Sequence, residues 1–125
     1  LRAHETQYHR VCRLMLESGG GGGTSHTSSF STIGWQSNWI QLGLTRNNPN
    51  SQIKVYFNGD FIELFSVANG VLNISQNGLW IGADQDSVGG GWQAGNYYHG
   101  SIDDDRIYDR TLSAEEVQAL FKMGQ

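Results

Sequence analysis

The chain has 125 residues, 16% of them charged, with 17 glycines, one proline, one cysteine and a formal net charge of −4. That length suits one domain with a sizeable core, and the glycine-rich, charge-poor composition favours short strands and tight turns over a helical bundle. The acidic balance without any Lys/Arg cluster argues against nucleic acid or an anionic membrane as partner, the lone Cys12 excludes an intrachain disulfide and a cysteine zinc site, and no apolar run reaches the roughly 20 residues that span a bilayer.

Residues 1–7 read as a tail. His4 and His9 stand about 140° apart round a helix, so one metal ion cannot reach both. Tyr8 to Leu16 carries apolar residues on both parities and reads as a strand partly covered on each face. Gly19 to Gly23 open a flexible loop that extends to residue 29, and no lysine follows to make it a phosphate cradle. Thr24 to Ser37 is polar with irregular aromatics, which suits a short edge strand and a loop.

From Trp39 to Arg46 the pattern alternates, with Ile40, Leu42 and Leu44 expected toward the core and Gln41, Gly43 and Thr45 on the other side. Asn47 to Asn50 is turn chemistry, and Gln52 to Phe57 alternates again with Ile53, Val55 and Phe57 on one face, so the two runs form a hairpin. Asn58-Gly59 suits a type I′ turn, whose central residues both need positive φ, and leads into a strand over Phe61 to Val67. A turn at Ala68-Asn69-Gly70, short strands at Val71 to Ile74 and Leu79 to Ile81, a long loop over Asp84 to Asn96 and re-entry at Tyr97 follow. About seven or eight strands must close into two packed sheets to cover their apolar faces.

Along Tyr98 to Tyr108 the apolar positions change parity, which predicts a bulge near Asp103 and Asp104. Ser113 and Glu116 form a capping box, with Leu112 and Val117 spaced for a hydrophobic staple. Val117, Leu120 and Phe121 then make one apolar stripe of a short helix. Lys122 suits the negative end of that helix, and Gly124 is expected to end it in the left-handed conformation.

Residues 100–117, reading GSIDDDRIYDRTLSAEEV, resemble the closing segment of laminin-G-like domains of the concanavalin A-like superfamily. Trp39 to Arg46, Ile53 to Gly59 and Leu79 to Gly82 resemble the same family in the same order, whereas its opening strands have no counterpart here. The resemblance implies one domain over 1–125, all-β, a two-sheet jelly-roll sandwich with one short C-terminal helix. It implies a non-catalytic binding module of lectin type for carbohydrate, or alternatively a protein-interaction or adhesion module without sugar binding, and it suggests an extracellular setting. Asp105 replaces the family's apolar residue and is expected to be exposed, or else paired with Arg106 or Arg110.

For sugar binding, Asp84, Asp86, Trp92, Asn96, Tyr97 and Tyr98 bring together aromatic faces and hydroxyl-binding groups in a glycine-rich loop, although the same aromatics could serve as core or sheet cover. The resemblance implies one structural calcium at Asp103 or Asp104; the competing reading pairs Asp104 with Arg106 or with backbone donors. An enzyme is not expected. Retaining glycosidases need two carboxylates about 5 Å apart, whereas Glu63 stands alone on its strand and the Asp84/Asp86 pair adjoins a glycine loop. The partners expected are therefore carbohydrate or a protein surface. The absence of the opening strands predicts a two-fold homodimer with Leu1 to Ser18 at the contact, unless Thr24 to Ser37 folds over the gap.

Overall fold

The structure, a computed structural model, describes residues 2–5, 12–16, 24–28, 39–67, 70, 81–82 and 100–124. The expectations for Gly19 to Gly23, Val71 to Ile74, Leu79-Trp80, Asp84 to Asn96 and Tyr97 lie outside the described residues. The strands are β1 (Arg2–Glu5), β2 (Cys12–Leu16), β3 (Thr24–Ser28), β4 (Ile40–Asn47), β5 (Gln52–Phe57), β6 (Asp60–Ser66) and β7 (Gly100–Asp103), followed by the helix α1 (Ala114–Met123). The chain is thus mostly β with one C-terminal helix. Five strands make one antiparallel sheet in the order β6-β5-β4-β1-β7, and β2 pairs with β3 separately.

Turn chemistry sets the β4-β5-β6 meander. Asn47 Oδ1 accepts the Asn50 N–H at 3.3 Å and the Ser51 N–H donates to Asn48 O at 3.0 Å, side-chain and backbone bonds that reverse the chain in place of water. At the next reversal Asn58 and Gly59 have φ of 50° and 82°, the two positive angles a type I′ turn demands. Asn58 also extends the β4–β5 ladder: its N–H donates to Gln41 O and its Oδ1 accepts the Gln41 N–H, both at 2.9 Å.

A bulge then breaks the β5–β6 register. Val55 faces Glu63 but Tyr56 faces Phe61, leaving Ile62 as the extra residue. An inserted residue offsets the side-chain parity on either side of it. Phe61 therefore shares a face with Tyr56, and their rings meet edge to face at 6.0 Å.

One face of the meander buries Ile53, Val55 and Phe65, with Leu42 and Val67 packed against them. The other carries α1. Gly43 lies opposite Tyr56, and a Cβ built on Gly43 would stand 3.4 Å from Val117 Cγ1 and 3.5 Å from Tyr56 Cβ, so the bare Cα lets the helix come down onto the sheet. The expected inside and outside of β4 are corrected here. Leu44 is 42% exposed while Thr45 is buried, because the first turn of α1 lies over the Thr45 side: Thr111 Oγ1 donates to Arg46 O, and Lys54, which is opposite Thr45, acts electrostatically on Glu115.

α1 begins as predicted. Ser113 Oγ accepts the Glu116 N–H at 3.2 Å and Glu116 accepts the Ser113 N–H at 2.8 Å. Of the apolar stripe Val117 is buried, with Leu120 and Phe121 half-buried. The ending differs from expectation: Gly124 has φ −89°, not a left-handed angle, because its N–H is shared between Leu120 O at 3.3 Å and Phe121 O at 3.1 Å. A bifurcated bond of that kind closes the last turn without any change in the sign of φ.

Two further expectations are corrected. Residues 2–5 are no tail, since β1 pairs with β4 on one side and β7 on the other. Arg2 and Ala3 have neighbours on both sides, and His4 and Glu5 pair with β7. The strand expected to run to Tyr108 stops at Asp103, and Asp104 takes φ 54°. A left-handed residue, rather than a bulge inside a continuing strand, produces the change of parity.

Candidate functional site

At the start of β4 the chain passes beneath the end of α1. Trp39, Ile40 and Gln41 from the sheet, Leu120, Phe121 and Gly124 from the helix, and Asp104 from the turn after β7 line a hollow of about 10 Å³, the room of a single water or hydroxyl. Each wall has a local cause. The paired Asn58 bonds hold the Gln41 backbone, and Gly59 in the same turn presses against α1, where a Cβ would lie 3.1 Å from Phe121 Cβ and 3.2 Å from Gln118 Cα. The left-handed angle at Asp104 turns the chain out of β7 and across the helix end.

The polar groups differ in how well they are satisfied. Asp103 Oδ1 accepts the Asp104 N–H at 2.7 Å, and Asp104 takes both prongs of Arg106, Nε at 2.9 Å on Oδ1 and Nη2 at 3.0 Å on Oδ2. The hydrogen bond to Asp104, then that to Tyr108, raises the guanidinium pKa above its ordinary value. Arg110 grips Glu116 in the same bidentate way at 2.9 and 2.7 Å. Those bonds, followed by the Ser113 backbone bond, lower the Glu116 carboxyl to about 2. Gln41 Oε1, in contrast, is buried and accepts no hydrogen bond among the described residues. Trp39 stands over the hollow 43% exposed.

An aromatic side chain, an amide and a carboxylate at one hollow are side-chain classes that recognise a polyhydroxylated ring, by stacking and by hydrogen bonding to hydroxyls. The loop residues expected to do this, Asp84, Asp86, Trp92, Asn96, Tyr97 and Tyr98, lie outside the described residues. Asp103 and Asp104 are described and exposed, as is Asp105. Asp104 is paired with Arg106, one of the two arrangements weighed for it. Calcium takes six to eight oxygens. Among the described residues no three His, Cys, Asp or Glu side chains gather to hold a metal, so the donor set there falls short of that shell. Trp39 and Gln41 were not singled out from the sequence; the one hint was Gln41 on the supposedly open side of a strand that begins directly after a tryptophan.

Residues 6–118 match the family model described as the concanavalin A-like lectin/glucanases superfamily. The chain belongs to that superfamily. Comparison with curated proteins finds no match. Among solved structures, the chain is similar to the crystal structure of residues 221–444 of an S-layer domain-containing protein from Clostridium thermocellum, with 28% identity and a TM-score of 0.54 over 84% of this chain. The chain spans 48% of that structure's length. Among the described residues no helix is long and apolar enough to cross a membrane.

Proposed function

We propose that this superfamily member is a non-catalytic binding module for carbohydrate, with the two-sheet jelly-roll sandwich as its complete fold. The observation that carries the reading is the match over residues 6–118 to a superfamily of lectins and glucanases. The chemistry of the described site supports the binding half of that description: glycoside hydrolysis needs one carboxyl group as acid and a second as nucleophile or base, whereas both oxygens of Asp104 are engaged by Arg106. The similarity to an S-layer domain-containing protein supports a setting at the cell exterior.

The test is an immobilised array of glucose, galactose, mannose and N-acetylglucosamine oligosaccharides, together with uronate-containing and sialylated glycans. Saturable binding to one class is expected. Failure to bind any glycan overturns the carbohydrate reading, and release of reducing ends from a bound glycan overturns the non-catalytic one.

A second reading, a protein contact that includes the two-fold homodimer, is favoured by β6. Its Phe61, Ile62 and Leu64 are 54%, 41% and 40% exposed, three large apolar side chains within four positions of one strand, of a kind that scattered surface residues do not explain. Sedimentation equilibrium at micromolar concentration tests the dimer, and a single species at the monomer mass removes it.

A further inference from the structure

We propose that Gln41 is a ligand-binding residue, whose side-chain carbonyl accepts a hydroxyl of a neutral pyranose stacked on Trp39 at the hollow between β4 and the end of α1. The inference rests on the carbohydrate reading above and gives it a site.

The main-chain groups of Gln41 are both satisfied, at 2.9 Å each, by Asn58, so its position is fixed by the hairpin. Its Oε1 is the exception, buried without a donor among the described residues. A buried acceptor in that condition destabilises the fold, and a methionine of similar length would fill the same space without the penalty. Sites that keep such a local conflict are where function is to be sought.

Among the described residues none donates to it. The carboxylate of Asp104 accepts only, and the Gly124 N–H is already shared by Leu120 O and Phe121 O. A ligand hydroxyl is the donor that completes it. A space of about 10 Å³ admits one hydroxyl and no ring, so the ring stays at the rim, beside the partly exposed Trp39. The terminal torsion of a glutamine is soft, which leaves Oε1 free to turn toward a hydroxyl placed there.

The charge at the rim selects among sugars. Arg106 offsets the charge of Asp104, but the negative end of the α1 dipole and the net charge of −4 oppose a carboxylate, so neutral pyranoses are preferred to uronic or sialic acids.

The experiment compares wild type, Gln41→Met and Trp39→Ala on the glycan array, with melting temperatures in parallel. Gln41→Met is expected to lose at least tenfold in affinity for the neutral glycans that wild type binds while melting at the same or a higher temperature. Trp39→Ala is expected to lose binding as well. Wild type that binds while Gln41→Met binds equally overturns this proposal alone, as does a preference for acidic glycans. A Gln41→Met variant that loses affinity only together with a lower melting temperature also overturns it, since that assigns Gln41 a structural role. Wild type that binds nothing overturns the carbohydrate reading itself.

Discussion

Replacing Gly59 by alanine tests how the hairpin and the helix hold each other. Its φ of 82° lies in the left-handed region, where a residue with a Cβ loses about 1–2 kcal/mol. The new Cβ would also stand 3.1 Å from Phe121 Cβ, 3.2 Å from Gln118 Cα and 3.3 Å from Phe121 Cδ1. Two of those atoms sit on or next to the helix backbone and cannot rotate away, so α1 must lift, which adds about 1–3 kcal/mol of overpacking. The expected loss is about 2–5 kcal/mol, read in urea denaturation as a midpoint lowered by about 1–2 M at an unchanged slope. Gly59→Asn separates the two causes, because asparagine enters the left-handed region readily but still carries the Cβ. It should retain the overpacking loss of about 1–3 kcal/mol. A Gly59→Asn protein within about 0.5 kcal/mol of wild type, the usual spread of a harmless surface change, would refute the packing argument.

Val117→Ala should cost about 2–3 kcal/mol and Leu120→Ala about 1–2, since Val117 is the fully buried member of the stripe; the reverse order in denaturant would show that α1 docks by a different face. Glu116, held by Arg110 and Ser113 near a pKa of about 2 against an ordinary 4.5, contributes stability that is present above 4.5 and lost as pH falls through that window toward 2. Glu116→Gln should therefore flatten the melting-temperature profile between pH 4.5 and 2, and an unchanged profile counts against the capping and ion-pair account. Calcium at Asp103 or Asp104 would have to draw further oxygens to that turn and compete with Arg106. If it binds, the melting temperature rises in millimolar calcium relative to chelator, and equal values remove it.

The sequence by itself determined whatever depends on a few neighbouring residues. Asn58-Gly59 specified its turn because only small or amide residues accept two positive φ angles in succession, and Ser113 with Glu116 specified the start of α1 because the bonds that make a capping box span three residues. Alternation in β4 and β5 set which side chains share a face, and the closing motif carried the family. Tertiary structure decided everything that depends on what lies across from a residue. Only the docking of α1 over Thr45 buries a position that the pattern assigns to the open side. Residues 2–5 become a strand through hydrogen bonds to β4 and β7 supplied by residues some 40 and 100 positions away, which no local propensity encodes. The oxygen of Gln41 that has no partner among the described residues arises in the same way: its neighbours in sequence are an ordinary strand, and it lies where the end of a distant helix meets that strand.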